Sequence, residues 1–165
     1  MTLIEILVVM LIIGILVGAV TVAVSALGGD REIEEQAQRV ADVVAITLDQ
    51  AELEGRDYGL RVEPAGYEVM VFDGLRQGWQ SIGDDRWFES HDLPAGLAID
   101  LQIDGRRVLL KPLETTEEPL PQILVGASGD VSPYEITLTR SASGARVTLA
   151  GGADGRIEIT RDGTQ

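Results

Sequence analysis

The stretch MTLIEILVVMLIIGILVGAVTVAVSAL, residues 1–27, decides the fold of this 165-residue chain. Within it, Ile6–Leu27 is an uncharged run of 22 residues, and a helix needs about 20 apolar residues to cross the core of a bilayer. A single carboxylate, Glu5, stands at the start of the run. The stretch therefore predicts a long apolar helix that is able to span a membrane.

The same run indicates a retained helix rather than a cleaved signal. No Lys or Arg precedes it, whereas a secretory signal peptide begins with a basic region and has a shorter apolar core. Gly14 and Gly18 form a small-xxx-small pair that lets helix backbones approach closely. Glycine is also common in membrane helices without such a role, so both interpretations of the pair stay open.

Glu5 is an unusual residue for an apolar segment. A carboxylate at helix-centre depth costs roughly 2.5–3.5 kcal/mol on insertion scales, although near a helix end it can reach the interface at little cost. The alternative is an ion pair, and the nearest cation in the sequence is the α-amino group of Met1, in the same chain or in a neighbouring one. In a low dielectric such a pair would be strong and would favour a defined stagger between helices.

Beyond the apolar run the chain is strongly acidic. The whole sequence has 27 acidic and 13 basic side chains and a net charge of −14, which disfavours nucleic acids and anionic lipid headgroups as partners. It contains no cysteine, so a disulfide framework and a thiolate metal site are both excluded.

Three segments follow from periodicity and glycine placement. Gly28 and Gly29 weaken a helix by up to about 2 kcal/mol together, so they predict a hinge at the end of a transmembrane helix half, residues 1–29. Helical spacing of apolar residues predicts an amphipathic half over 30–55, which ends at Gly55. Residues 56–165 predict a globular β-rich domain, so the class is α+β.

Alternation of apolar and polar residues predicts short antiparallel strands in this domain, with turns at Asp104-Gly105 and Ser143-Gly144. The predicted strands cover 58–62, 67–72, 97–103, 107–111, 122–125, 134–139, 145–150 and 156–160. Two segments resist strand assignment. Gly74–Asp92 is polar but carries aromatic residues, which indicate either an interaction loop or rings folded over the core, and 114–121 reads as an acidic connection.

Catalytic and metal-binding patterns are weak. The only histidine, His91, lies in Glu89-Ser-His-Asp92, where neighbours in sequence rarely form one site, so a solvated loop histidine is favoured. Asp84-Asp85 lacks a DxDxDG calcium loop, and no phosphate-binding glycine loop is present. We expect neither an enzyme nor a cofactor, a metal or a small-molecule substrate.

The N-terminus, Met1-Thr2-Leu3-Ile4-Glu5 followed by a long apolar helix, resembles the mature N-terminus of type IV pilins and type II secretion pseudopilins. Glutamate at the fifth position is the hallmark of that family and matches Glu5. The resemblance implies removal of a basic leader, N-methylation of residue 1, and contact of Glu5 with the amino terminus of an adjacent subunit during assembly. Met1 departs from the usual Phe. The family fold is a long N-terminal hydrophobic helix packed on an antiparallel β-sandwich.

A narrower resemblance lies in PQILVGASGDVSPYEITL, residues 121–138, which is similar to the C-terminal block of H-type minor pseudopilins, the GspH family. Gly129, Asp130, Ser132, Pro133 and Tyr134 stand where that family favours Gly, an acid, Thr or Ser, Pro and an aromatic residue. The physical content of this family motif is a turn between strands, with Pro133 at the entry to the next strand.

The resemblance implies a minor subunit of a bacterial type II secretion pseudopilus, which links the tip minor pseudopilins to the major pseudopilin shaft and supports export of folded proteins across the outer membrane. Its partners would be those subunits, in a hetero-oligomer, and the inner membrane before assembly, with the globular domain in the periplasm. One alternative is a minor type IV pilin for pilus priming or DNA uptake, and the acidic body disfavours DNA binding. Another is a membrane-tethered periplasmic enzyme, for which the sequence offers no candidate site.

Overall fold

One helix, α1 (Leu3–Glu54), opens the fold. The computed structural model describes residues 3–82, 88–112 and 119–162, and the side chains of residues 3 and 17–30 lie outside that description. The chain divides into two compact units, Met1–Glu32 and Ile33–Gln165. The predicted hinge at Gly28 and Gly29 lies among the residues whose side chains are not described, so it stays a prediction.

The part of α1 that belongs to the second unit is amphipathic, as its apolar spacing predicts. Five of its buried apolar residues are no more than 2% exposed: Ile33, Ala37, Val40, Val44 and Ala51. The helix ends at Gly55, which adopts a φ of +64°. The N–H groups of Gly55 and Arg56 both donate to the carbonyl oxygen of Ala51, at 2.9 and 3.3 Å, so a left-handed glycine cap terminates the helix.

Ten strands follow among the described residues and form two antiparallel sheets. They are β1 (Tyr58–Glu63), β2 (Gly66–Asp73), β3 (Gly78–Ser81), β4 (His91–Asp92), β5 (Leu97–Ile103), β6 (Arg106–Val108), β7 (Ile123–Val125), β8 (Tyr134–Arg140), β9 (Arg146–Gly151) and β10 (Ile157–Asp162). The first sheet has the order β3-β2-β1-β7, with β4 also paired to β2, and the second has the order β10-β9-β8-β5-β6. The predicted α+β class with antiparallel sheets is confirmed.

The two predicted hairpin turns are present. Asp104 and Gly105 join β5 to β6 with φ values of 50° and 72°, the left-handed pair that a two-residue hairpin turn requires. Gly144, with a φ of +71°, lies in the β8–β9 connection and donates its N–H to the carbonyl oxygen of Arg140 at 2.8 Å. Both positions therefore set the register of the second sheet.

The core lies between α1 and the inner faces of both sheets. Strand residues that share it are spaced two apart, for example Leu60 and Val62 on β1 and Ile136 and Leu138 on β8, and each is at most 1% exposed. Apolar side chains of α1, β1, β2, β5, β7, β8 and β9 belong to one contiguous cluster. This arrangement fixes α1 within the second unit by burial on one face.

The segment 74–92 contains two strands that alternation did not predict, β3 and β4. Strand β2 is eight residues long, so it pairs with β3 along one half and with β4 at its start. Trp79 packs edge-on against its cross-strand partner Phe72, with ring centroids 5.4 Å apart. Phe88 is 5% exposed and belongs to the core, as one interpretation predicted, whereas Trp87 lies outside the described residues.

Candidate assembly site

The family motif forms a closed turn between β7 and β8. The N–H of Gly126 donates to the carbonyl oxygen of Asp130 at 2.7 Å, and the N–H of Gly129 donates to that of Gly126 at 3.0 Å. Gly129 has a φ of +86°, which a residue with a side chain adopts only at a cost. A bridge between Val125 and Val131 closes the base of the turn.

Ser132 and Pro133 connect this turn to β8. The backbone N–H of Ser132 donates to the carbonyl oxygen of Leu124 at 2.8 Å, and the N–H of Leu124 donates to the Ser132 hydroxyl at 3.1 Å. The Ser128 hydroxyl bonds the carboxylate of Asp130. Pro133 lies immediately before β8, and its carbonyl oxygen accepts from the N–H of Asp104 at 3.4 Å. The hydroxyl at 132 thus satisfies a backbone donor.

The turn lies against the end of α1 and the start of β1. The N–H of Ala127 donates to Oδ1 of Asp57 at 3.0 Å, and a Cβ placed on Gly129 would lie 2.4 Å from Oε1 of Glu52. Sequence reasoning missed Asp57 and Glu52. No periodic signal could have found them, because the Asp57–Ala127 contact joins residues 70 positions apart.

Tyr134 anchors the start of β8 in the core. It is 4% exposed and lies opposite Gly151 of β9, where an added Cβ would be 2.1 Å from the tyrosine ring. Burial raises the pKa of Tyr134 to about 12, and its hydroxyl has no hydrogen-bond partner among the described residues. Gly151, which sequence reasoning also missed, makes room for the ring.

The described start of the first unit, residues 4–16, presents apolar side chains on every side. From Ile4 to Leu16 the large apolar residues are 46–69% exposed, and a helix that is apolar all round is one that other molecules or lipid must cover. Glu5 is exposed in the first turn, where the helix dipole favours a carboxylate. A Cβ on Gly14 would meet nothing within 4 Å, so the chain itself does not require glycine there.

Other predicted site residues of the first unit cannot be placed. Met1 lies outside the described residues, as do the side-chain surroundings of Gly18, Gly28 and Gly29. In the part of the chain with described side chains, no helix has both the length and the hydropathy that crossing a bilayer demands. The predicted roles of these residues therefore stay predictions.

His91 lies in β4 rather than in a solvated loop, so that prediction is wrong. Its Nε2 is 2.8 Å from Oε1 of Gln36 on α1, and its ring centroid is 5.3 Å from that of Tyr67. Burial, followed by the charge of Arg39, lowers the pKa of His91, whereas Asp92 opposes the shift. The contacts tie β4 to α1, and no cluster of three metal-ligating side chains occurs among the residues described.

Curated proteins similar to this chain include two that match it over nearly its whole length. The chain is 32% identical over 170 residues to the type II secretion system protein H of Pseudomonas aeruginosa, covering 97% of this chain and 95% of that protein. It is 29% identical over 169 residues to the protein of the same name from Aeromonas hydrophila, covering 98% of this chain and 92% of that protein. No protein-family profile matches the chain.

Solved structures show the same fold. The minor pseudopilin EpsH from the type 2 secretion system of Vibrio cholerae superposes with a TM-score of 0.66 at 22% identity, covering 82% of this chain and 98% of that one. The solution structure of Escherichia coli GspH gives a TM-score of 0.62 at 20% identity, covering 81% of this chain and 90% of that one.

Proposed function

Because this chain belongs to the type II secretion system protein H family, we propose that it is a minor subunit of the secretion pseudopilus, linking tip minor pseudopilins to the major pseudopilin shaft. The observation that carries the proposal is the match along nearly the whole chain. The closed turn at Gly129–Tyr134, which is built by the residues of the family motif, agrees with it. The reported relatives are named for secretion, so they lend no support to the DNA-uptake alternative.

The first unit supplies the assembly helix in this proposal. Its apolar side chains, exposed from Ile4 to Leu16, would be covered by lipid of the inner membrane before assembly and by the helices of other pseudopilins afterwards. Gly14 tolerates a side chain within its own chain, so a close helix–helix approach there would be between subunits. The globular unit would lie in the periplasm and act as a structural, non-catalytic part.

Glu5 would set the axial stagger between subunits by pairing with the amino terminus of the next one, the α-amino group of Met1. The support is its position: an exposed carboxylate in the first turn of an apolar helix. Burying such a charge without a cation costs several kcal/mol, so a neighbour that supplies the cation is selected over one that does not.

The test replaces Glu5 with Ala in the full-length protein in cells that carry the rest of the secretion system. Insertion in the membrane should be retained, while copurification with the major pseudopilin should fall about tenfold, equivalent to about 1.4 kcal/mol, and export should fall with it. Glu89→Ala is the matched control, because it removes an exposed carboxylate of the globular unit. Normal copurification and export of Glu5→Ala would overturn the role of Glu5.

A further inference from the structure

Strand β10 presents an unusually long open edge. It is the outermost strand of the second sheet and has six residues. The other edge strands of the described residues are shorter: β3, β4, β6 and β7 have four, two, three and three residues. Five of its residues, Glu158–Asp162, are exposed, and among the described residues only β9 pairs with it. Natural proteins usually keep open edges short, since they invite pairing with another chain.

The register shows which backbone groups face outward. The N–H of Gly152 donates to the carbonyl oxygen of Arg156 at 2.9 Å, and pairing continues without a bulge from Ile157 opposite Gly151. Bonded and non-bonded pairs alternate in an antiparallel ladder. The N–H and C=O groups of alternate residues therefore point away from β9, towards the open edge: Ile157, Ile159 and Arg161.

The edge contacts α1 at both of its ends. At one end, Arg161 forms an ion pair with Glu34, and at the other a Cβ on Gly155 would lie 2.4 Å from Cδ2 of Leu48. The helix rises about 21 Å over those 14 residues, and six strand residues span about 20 Å. Because the two spans match, β10 is a preformed template, which lowers the ordering cost of binding.

The charges on the edge indicate the kind of partner. Glu158 and Asp162 lie on the outer face of the sheet, four residues apart and exposed, and neither belongs to the ion pairs of the described residues. The partly exposed Ile159, 40%, lies on the opposite face. Acids on an edge discourage pairing with acidic segments, and they favour a strand with basic residues at the same spacing.

We propose that β10 binds an extended segment of a neighbouring pseudopilin, which adds a sixth strand to the second sheet. This segment has basic residues at its first and fifth positions and apolar residues at its second and fourth positions. The basic side chains would lie beside Glu158 and Asp162, and an apolar one beside Ile159. The inference rests on the proposed function, since it names how this subunit recognises another. A second copy fits less well, because antiparallel β10 pairing would point the Ile33 ends of the two helices in opposite directions.

The experiment uses the full chain in detergent micelles and a ten-residue peptide with Lys-Val-Thr-Val-Lys at its centre. Residue-resolved amide hydrogen exchange should slow at Ile157, Ile159 and Arg161. The alternate amides, which already bond β9, should not change. A peptide with Glu in place of both Lys residues is the charge control and should bind at least about tenfold more weakly, or about 1.4 kcal/mol.

Matched variants separate backbone pairing from side-chain contact. Ile159→Pro removes one outward N–H without removing a bond to β9, which an edge strand tolerates, and it should weaken peptide binding about tenfold, or about 1.4 kcal/mol. Ile159→Val keeps the N–H and should bind within about twofold of the parent, or about 0.4 kcal/mol. Charge reversal at Glu158 and Asp162 to Lys should transfer the preference to the Glu peptide.

The proposal is overturned if the Lys peptide leaves the three outward amides exchanging as before, if the Glu peptide binds equally well, or if the amides are protected by self-association without peptide. Glu5→Ala distinguishes this result from failure of the proposed function. That variant should lose copurification with the major pseudopilin yet bind the peptide normally, because β10 belongs to the other compact unit.

Discussion

The outer faces of the two sheets differ, although both sheets consist of antiparallel strands against the same helix. On the first sheet, Met70 is 0% exposed and Arg61 is 7% exposed, and a Cβ on Gly59 would lie 2.5 Å from the ring of Pro121. On the second sheet, the corresponding face carries Asp100 and Arg107, whose side chains are 48% and 75% exposed. One outer face is covered by protein, while the other is open to water.

The difference shows that an arginine on the outer face of a sheet is either a buried charge that must be paired or a solvated charge. Nε of Arg61 lies 2.6 Å from Oε1 of Glu68, and the same guanidinium also bonds Glu63, because a buried charge must be paired. Arg107 pairs with Asp100 in the open, where an ion pair contributes about 0–1 kcal/mol. Coverage, not the residue type, therefore decides how much each pair stabilises the domain.

The largest expected effect comes from breaking the covered pair. Arg61→Ala leaves Glu68, 14% exposed, without its cation, so we expect the free energy of unfolding to fall by about 3 kcal/mol. Denaturant unfolding of the full chain in micelles, followed by circular dichroism, measures it.

The matched control is Arg107→Ala on the open face, which should change the free energy of unfolding by no more than about 1 kcal/mol. Replacing the covered pair together, Arg61→Met with Glu68→Leu, should recover much of the loss, because no buried charge is left alone. Equal losses in the free energy of unfolding for Arg61→Ala and Arg107→Ala would contradict this prediction, because they would show that the two faces are equally exposed to solvent.

A smaller effect is expected from filling space on the covered face. Gly59→Ala puts a methyl group 2.5 Å from Cβ of Pro121, closer than the atoms can approach, so displacement of the proline should cost about 1–3 kcal/mol. Ala150→Val adds bulk at an exposed position of β9 and should stay within about 0.5 kcal/mol. Thermal unfolding of both variants against the parent gives the comparison, and a neutral Gly59→Ala would mean that Pro121 yields freely.

Alternation predicted most strands but not their coverage. It predicted β1 and β8, but it does not distinguish a strand that is buried on both faces from one that is buried on a single face. Arg61, at an alternate position of β1, was therefore not predicted to be buried. β3 and β4 were missed because their residues, such as Trp79 and His91, alternate poorly and are held by pairing with β2. The family was predicted from both ends of the chain and is confirmed by the relatives.

The candidate site was predictable where its signals are local. Gly129-Asp130 and Pro133 indicated a turn before β8, and the structure has it. The contacts that position the turn were not predictable, because Glu52 and Asp57 are distant in sequence and their types fit many surface roles. The open edge of β10 is likewise a property of sheet order, which alternation in Ile157–Asp162 does not reveal.

The smallest expected effect is on the pH dependence of the free energy of unfolding. It arises at β4, where His91 contacts Gln36 of α1. Burial and the nearby Arg39 lower the pKa of His91 in the folded chain, and Asp92 opposes them. The unfolded chain therefore binds a proton more readily than the folded one, so the contribution of His91 is full above about pH 6.5 and declines as the pH falls towards the lowered value.

The test measures the free energy of unfolding between pH 7.5 and 5 for the parent and for His91→Gln. Both proteins have the same carboxylates, so the difference between their curves reports His91. The parent should lose more stability than the variant over this range, by an amount smaller than the effect of Gly59→Ala, since His91 is only half-buried. Parallel curves would mean that His91 has the same pKa in the folded and the unfolded chain. The Gln36 contact would then hold β4 equally well whether the ring is neutral or charged.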